Sequence, residues 1–148
     1  MAKVRVTRQF DFEMAHALWN YDGPCRNLHG HSYRLFVTVT GYPVNDVNDP
    51  KNGMVIDFGD LKKIVSDTVV RDLDHAVMIS SRVPEDNFRN TDIMGKLKVV
   101  DYQPTVENMI ADFASRIKEK LPRDVELYSL RLHETASSYA EWFAADNP

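Results

Sequence analysis

Cys25, His29 and His31, in the run Cys25-Arg26-Asn27-Leu28-His29-Gly30-His31-Ser32, are the residues of this chain whose types and spacing best fit a reaction centre. Side chains of an extended strand alternate sides, so two imidazoles one residue apart project from one face and can reach a single metal ion. Gly30 between them places no side chain on the opposite face. A third histidine, His16, closes Glu13-Met14-Ala15-His16 at the end of another alternating run that can lie beside the first. Three histidines with a vacant fourth position describe a catalytic zinc site rather than a closed structural one. The only cysteine stands four residues before the first histidine of the pair, where the roles of nucleophile, base and ligand are all open to it.

These groups have to be held by strands. Val4, Val6, Phe10, Phe12, Met14 and His16 share one face of the first strand, and Lys3, Arg5, Thr7, Gln9, Asp11 and Glu13 the other. From His29 onward, His29, His31, Tyr33, Leu35, Val37 and Val39 share a face opposite Arg34, Thr38 and Thr40. All three histidines thus fall with the apolar set, where a shared metal relieves their desolvation penalty. Residues 41–53, rich in Gly, Pro, Asn and Asp, form a loop. Asp57 caps a helix whose apolar stripe is Leu61, Ile64, Val65, Thr68 and Val69, ending near Leu73-Asp74-His75. Residues 80–103, with Pro84, Asp86, Asn87, Asn90 and Gly95, read as an irregular segment with a short extended piece at 97–100; a connection this long is usually functional or mobile. A second helix starts at Pro104-Thr105-Val106-Glu107-Asn108, capped by Thr105 and buried along Val106, Ile110, Phe113, Ala114, Ile117 and Leu121. Two last strands, about 125–134 and 138–143, complete the order ββααββ. The expected fold is α+β: an antiparallel four-stranded sheet with two helices on one face, its other face and edges covered by association into an oligomeric barrel.

A chain of 148 residues fits a single domain, 1–148, able to bury a core without disulfides, which one cysteine rules out within the chain. No apolar run is long enough to cross a membrane, and the start runs straight into a strand pattern without a signal-peptide region, so a reducing cytoplasm is the expected location. The formal net charge of -4, with both signs interspersed, argues against nucleic acid as the partner.

His16, Cys25-x-x-x-His29-Gly30-His31, Leu73-Asp74-His75, Pro104-Thr105-Val106-Glu107-Asn108 and His133-Glu134-Thr135 together resemble, in order, the motifs of the 6-pyruvoyltetrahydropterin synthase family. The match spans nearly the whole chain, and the three residues between Cys25 and His29 are typical of the bacterial 6-carboxytetrahydropterin synthases of queuosine biosynthesis. The resemblance implies the tunnelling fold, assembled as a homohexamer of two trimers with active sites at subunit interfaces. Two departures bear on one pocket wall. The 80–103 segment is longer than in compact members, and Ala76-Val77-Met78-Ile79-Ser80 lacks the asparagine that often follows Leu-Asp-His.

The implied substrate is the pterin 7,8-dihydroneopterin triphosphate, and the implied cofactor is Zn2+ held by His16, His29 and His31. Cys25 takes the part of general base, and Asp74 with His75 the relay that polarises it. Glu134 is the pterin anchor, because one carboxylate accepts the ring's two parallel N–H donors side by side. Thr105 and Glu107 are the further substrate-binding candidates, with Glu107 in a supporting role. His133 is read as structural, and nothing singles out Arg26, Arg34 or Lys62 for the phosphates. The implied reaction gives 6-carboxytetrahydropterin, acetaldehyde and triphosphate. Two alternatives stay open: a 6-pyruvoyltetrahydropterin synthase that stops after triphosphate elimination, and a non-catalytic zinc- or pterin-binding protein on the same fold.

Overall fold

The computed structural model describes residues 1–89 and 92–148, so the predicted loop residue Asn90 lies outside the described residues. Strands β1 (Val4–His16) and β2 (His29–Gly41) pair antiparallel without a break, from Val4 opposite Gly41 to His16 opposite His29. Their alternation sorts the faces: Phe10, Phe12, Met14, Tyr33, Leu35, Val37 and Val39 are buried, while Thr7, Gln9, Asp11, Glu13, Ser32 and Arg34 are exposed.

Helix α1 begins at Phe58–Val65, passes through a π-helical turn at Ser66–Val70 and closes with one α turn at Arg71–Leu73. Asp57 caps it, its carboxylate accepting the Gly59 N–H at 2.7 Å. Leu61, Val65, Val69 and Leu73 are fully buried, so the stripe stays on the sheet side through the π turn. The chain then enters β3 (Ala76–Ser80), crosses over, forms β4 (Leu97–Val100), and starts helix α2 (Val106–Lys118), capped by Thr105 as predicted. Strands β5 (Glu126–His133) and β6 (Tyr139–Phe143) follow. The core lies between one sheet face and the two helices, where Leu127, Leu130 and Leu132 meet Met109, Ile110, Phe113 and Ile117.

The α+β class and the two helices agree with the sequence reading, whereas the four-stranded antiparallel sheet does not. The sheet has six strands in the order β4-β3-β1-β2-β5-β6, and β3 runs parallel to both β1 and β4. Of the ββαββαββ order, β3 was therefore missed, whereas the extended piece expected at 97–100 is the strand β4. Ala76-Val77-Met78-Ile79-Ser80 is a short apolar run without alternation, because it is buried on both sides between β1 and β4. A parallel β3–β4 pair cannot close through a tight turn, which accounts for the length of residues 81–96 between them. The edges are β4 and β6.

Candidate metal centre and active site

The register of β1 and β2 brings the three predicted histidines together at one end of the sheet. His16 lies directly opposite His29, and His31 is two residues further along β2 on the same face. One ring nitrogen from each falls within 4.8 Å of the other two, and ring centroids are 4.6, 5.1 and 4.8 Å apart. The outward-turned nitrogens are engaged: His16 Nδ1 is 2.7 Å from the Pro104 carbonyl and His29 Nδ1 is 2.6 Å from the Asn27 carbonyl. A carbonyl can only accept, so both Nδ1 atoms carry the proton and both Nε2 atoms present lone pairs inward. Those two Nε2 atoms stand 3.1 Å apart, and the buried Nε2 of His31 has no hydrogen-bond partner among the described residues. Converging lone pairs in a buried place repel one another unless a cation sits between them, so the donor set fits a metal ion.

Electrostatics favour the same state. Burial pushes His16 below the ordinary imidazole range; its bond to Pro104 opposes this, and the charge of His29 reinforces it. Burial likewise lowers His31, against the pull of Glu134. Neutral imidazole is the form that binds metal. Glu134 sits just past the end of β5, its N–H bonded to the Ser138 carbonyl at 3.1 Å in the turn to β6. Its carboxylate reaches the cluster, with Oε1 3.6 Å from His16 Nε2 and 3.7 Å from His31 Nε2.

The sequence model of 6-pyruvoyl tetrahydropterin synthase matches residues 5–145. This chain belongs to the 6-pyruvoyl tetrahydropterin synthase family. A 6-carboxy-5,6,7,8-tetrahydropterin synthase of Haemophilus influenzae is 34% identical over 142 residues, spanning 93% of this chain and 97% of that protein. A dihydroneopterin monophosphate aldolase of Pyrococcus furiosus is 35% identical over 136 residues, spanning 89% and 90%. The crystal structure of the Plasmodium vivax 6-pyruvoyl tetrahydropterin synthase covers 96% of this chain and 98% of that one with a TM-score of 0.74 at 19% identity, so the two share a fold.

In this family member Cys25 lies in a single 3-10 turn, Pro24–Arg26, half-buried, with its carbonyl accepting the Leu18 N–H at 3.0 Å. It is not among the groups that converge as ligands. Asp74 and His75 occupy the other side of β1. The Asp74 carboxylate accepts the Glu13 N–H at 2.9 Å, and the His75 N–H donates to the Glu13 carbonyl at 2.6 Å. That bond to the Glu13 amide holds the Asp74 carboxyl below its usual range. His75 Nδ1 is 3.1 Å from Asp74 Oδ1, and the ring, 78% exposed, sits on a backbone with φ of 62°. It opens onto a cleft of ≈ 340 Å³ whose walls include Glu13, Ala15, Gly30 and Ser32 and also His31 of the histidine cluster. Among the described residues neither Asp74 nor His75 is bonded to Cys25; both are tied to the Glu13 main chain.

Thr105 caps α2 beside the Pro104 carbonyl that orients His16, while Glu107 is exposed in the first helical turn. His133 faces the opposite side from Glu134, against Phe36 and Tyr139. Arg34 is within 3.9 Å of Asp11 on the exposed face. Sequence reasoning missed two features here. Tyr33 is fully buried, stacked on Phe12 with centroids 5.1 Å apart, and its hydroxyl has no partner among the described residues. Burial, then the charges of Glu134 and Cys25, push its phenol upward, so it remains a donor. The carbonyls of Pro104 and Asn27 also escaped, since any residue has one; only the Pro-Thr-Val-Glu-Asn motif pointed at that place.

Proposed function

We propose that this chain is a zinc-dependent 6-carboxy-5,6,7,8-tetrahydropterin synthase, acting as one domain in the cytoplasm on 7,8-dihydroneopterin triphosphate and serving queuosine biosynthesis. The observation that carries this reading is the convergence of His16, His29 and His31 with the Glu134 carboxylate 3.6 to 3.7 Å away. It joins a metal-type donor set to an acceptor suited to the donor edge of a pterin. The Haemophilus influenzae relative and the Cys25 spacing support the carboxy branch.

His16, His29 and His31 are the residues that hold the ion, which when bound supplies a Lewis acid at the hydroxylated side chain of the substrate. Glu134 accepts the ring's amino and adjacent N–H groups and fixes the ring. Cys25 removes a side-chain proton as general base. The Asp74–His75 pair that assists it comes from a neighbouring copy of the chain, since its own copy ties it to the Glu13 main chain at the β3 edge of β1, without a bond to Cys25 among the described residues. This supports a homo-oligomer, which the family resemblance makes a hexamer. The chemistry eliminates triphosphate, consumes water and cleaves a carbon-carbon bond to release acetaldehyde.

The Pyrococcus furiosus relative favours a second reading, an aldolase acting on a phosphorylated dihydroneopterin. Retro-aldol cleavage leaves the phosphate on the small aldehyde. Incubation of the zinc-loaded protein with dihydroneopterin triphosphate, and separately with the monophosphate, followed by mass analysis of pterin and aldehyde products, separates the two. Free acetaldehyde with 6-carboxytetrahydropterin supports the synthase; a phosphorylated aldehyde overturns it.

A further inference from the structure

The short segment that orients His16 also grips the loop that carries Cys25. Pro104 gives its carbonyl to His16 Nδ1 at 2.7 Å, and the residue before it, Gln103, reaches in the other direction. The Gln103 amide Nε2 donates to the Trp19 carbonyl at 2.8 Å, and its Oε1 accepts the Trp19 N–H at 3.1 Å. Both main-chain polar groups of Trp19 are thus taken by one side chain. The neighbouring Leu18 N–H then donates to the Cys25 carbonyl at 3.0 Å, which ties the first turn of the loop to the turn that holds the thiol. The backbone of Gln103 is itself fixed, its carbonyl accepting Asn108 Nδ2 at 3.0 Å and the Thr105 N–H at 2.7 Å at the start of α2.

We propose that Gln103 is a positioning residue for catalysis, holding the Cys25 loop in register with the His16 end of the metal centre. The inference rests on the proposed role of Cys25 as base. The chemistry is specific to a primary amide: facing a peptide N–H and C=O, it offers one acceptor and one donor. Glutamate has nearly the same shape but sets an acceptor against the Trp19 carbonyl, and alanine leaves both Trp19 groups to water. Pro104 is untouched by either change, so His16 keeps its orienting bond. A base displaced by a fraction of an ångström loses rate rather than affinity, because binding draws on Glu134 and the metal instead.

The test compares wild type, Q103E and Q103A as zinc-loaded proteins. Expected are unchanged zinc content, a KM within about twofold of wild type, and a kcat lower by about tenfold or more. Independently of turnover, the rate of Cys25 alkylation by iodoacetamide as a function of pH should shift in both variants, since the thiol's surroundings change with the loop. If Q103A does not fold, the same measurements on Q103E decide. Wild-type kcat and an unaltered alkylation profile overturn the inference, and so does loss of zinc in parallel with activity, which makes Gln103 merely a support of the metal site. If wild type itself converts no pterin, the proposed reaction falls while the alkylation profiles still decide whether Gln103 positions Cys25.

Discussion

Glu134→Gln tests the site at the point where geometry and chemistry meet. The side chain is 26% exposed, so the carboxylate is partly withdrawn from water yet open to donors. Glutamine keeps the size and one acceptor but turns its N–H2 toward one of the ring's two N–H groups, donor against donor. One charge-assisted hydrogen bond is lost outright and the second becomes neutral, a change of about 2 kcal/mol or more, or about 30-fold in Kd. The assay is titration of a non-reacting pterin against the zinc-loaded protein by fluorescence, with metal content measured on the same sample. The variant should bind pterin about 30-fold more weakly and keep its zinc, because the proposed ligand set is the three imidazoles. Unchanged pterin affinity refutes the reasoning and turns attention to Glu107. Loss of zinc refutes it differently, by making Glu134 a ligand.

Three further outcomes are expected. His31→Ala removes the nitrogen that is buried without a partner among the described residues and should strip metal and activity together, whereas full zinc occupancy after replacing all three histidines, read by atomic emission, contradicts the site. Cys25→Ala and His75→Ala should each abolish turnover as pure oligomers, yet a co-refolded mixture should regain about a quarter of wild-type activity, because each site then draws the two groups independently from two copies. No recovery in the mixture shows that both groups act within one chain. The metal-free protein should lose stability on acidification: burial lowers His16 and His31 from 6.5 in the folded state, so their contribution is complete above that pH and is lost as pH falls below it. Thermal melts between pH 8 and 5 that do not move contradict this.

The strands that carry the histidines were legible because β1 and β2 each have one wet face, so the period of two is written in their residues from Phe10 to His16 and from His29 to Val39. Helix caps at Asp57 and Thr105 were legible for a similar reason, since their chemistry is local. Strand β3 was not, and the extended piece at 97–100 was read without its place in the sheet. Their pairing is long-range and parallel, and five consecutive apolar or small residues at 76–80 carry no period by which a strand is told from a buried helical turn. The π turn at Ser66–Val70 was equally hidden, although Thr68, whose hydroxyl bonds to the Ile64 carbonyl at 2.7 Å, lies within it. In the site, the residue types named themselves, but the placement of Asp74 and His75 across β1 from the cluster depends on the unforeseen β3 that follows them. The grip of Gln103 on Trp19 spans 84 residues of sequence and left no local trace.

Product identity tests the central claim most directly. Zinc-loaded wild-type protein incubated with 7,8-dihydroneopterin triphosphate should release one acetaldehyde for each 6-carboxy-5,6,7,8-tetrahydropterin formed, both quantified by mass. Accumulation of 6-pyruvoyltetrahydropterin without acetaldehyde would contradict that claim while leaving the fold and the histidine cluster in place.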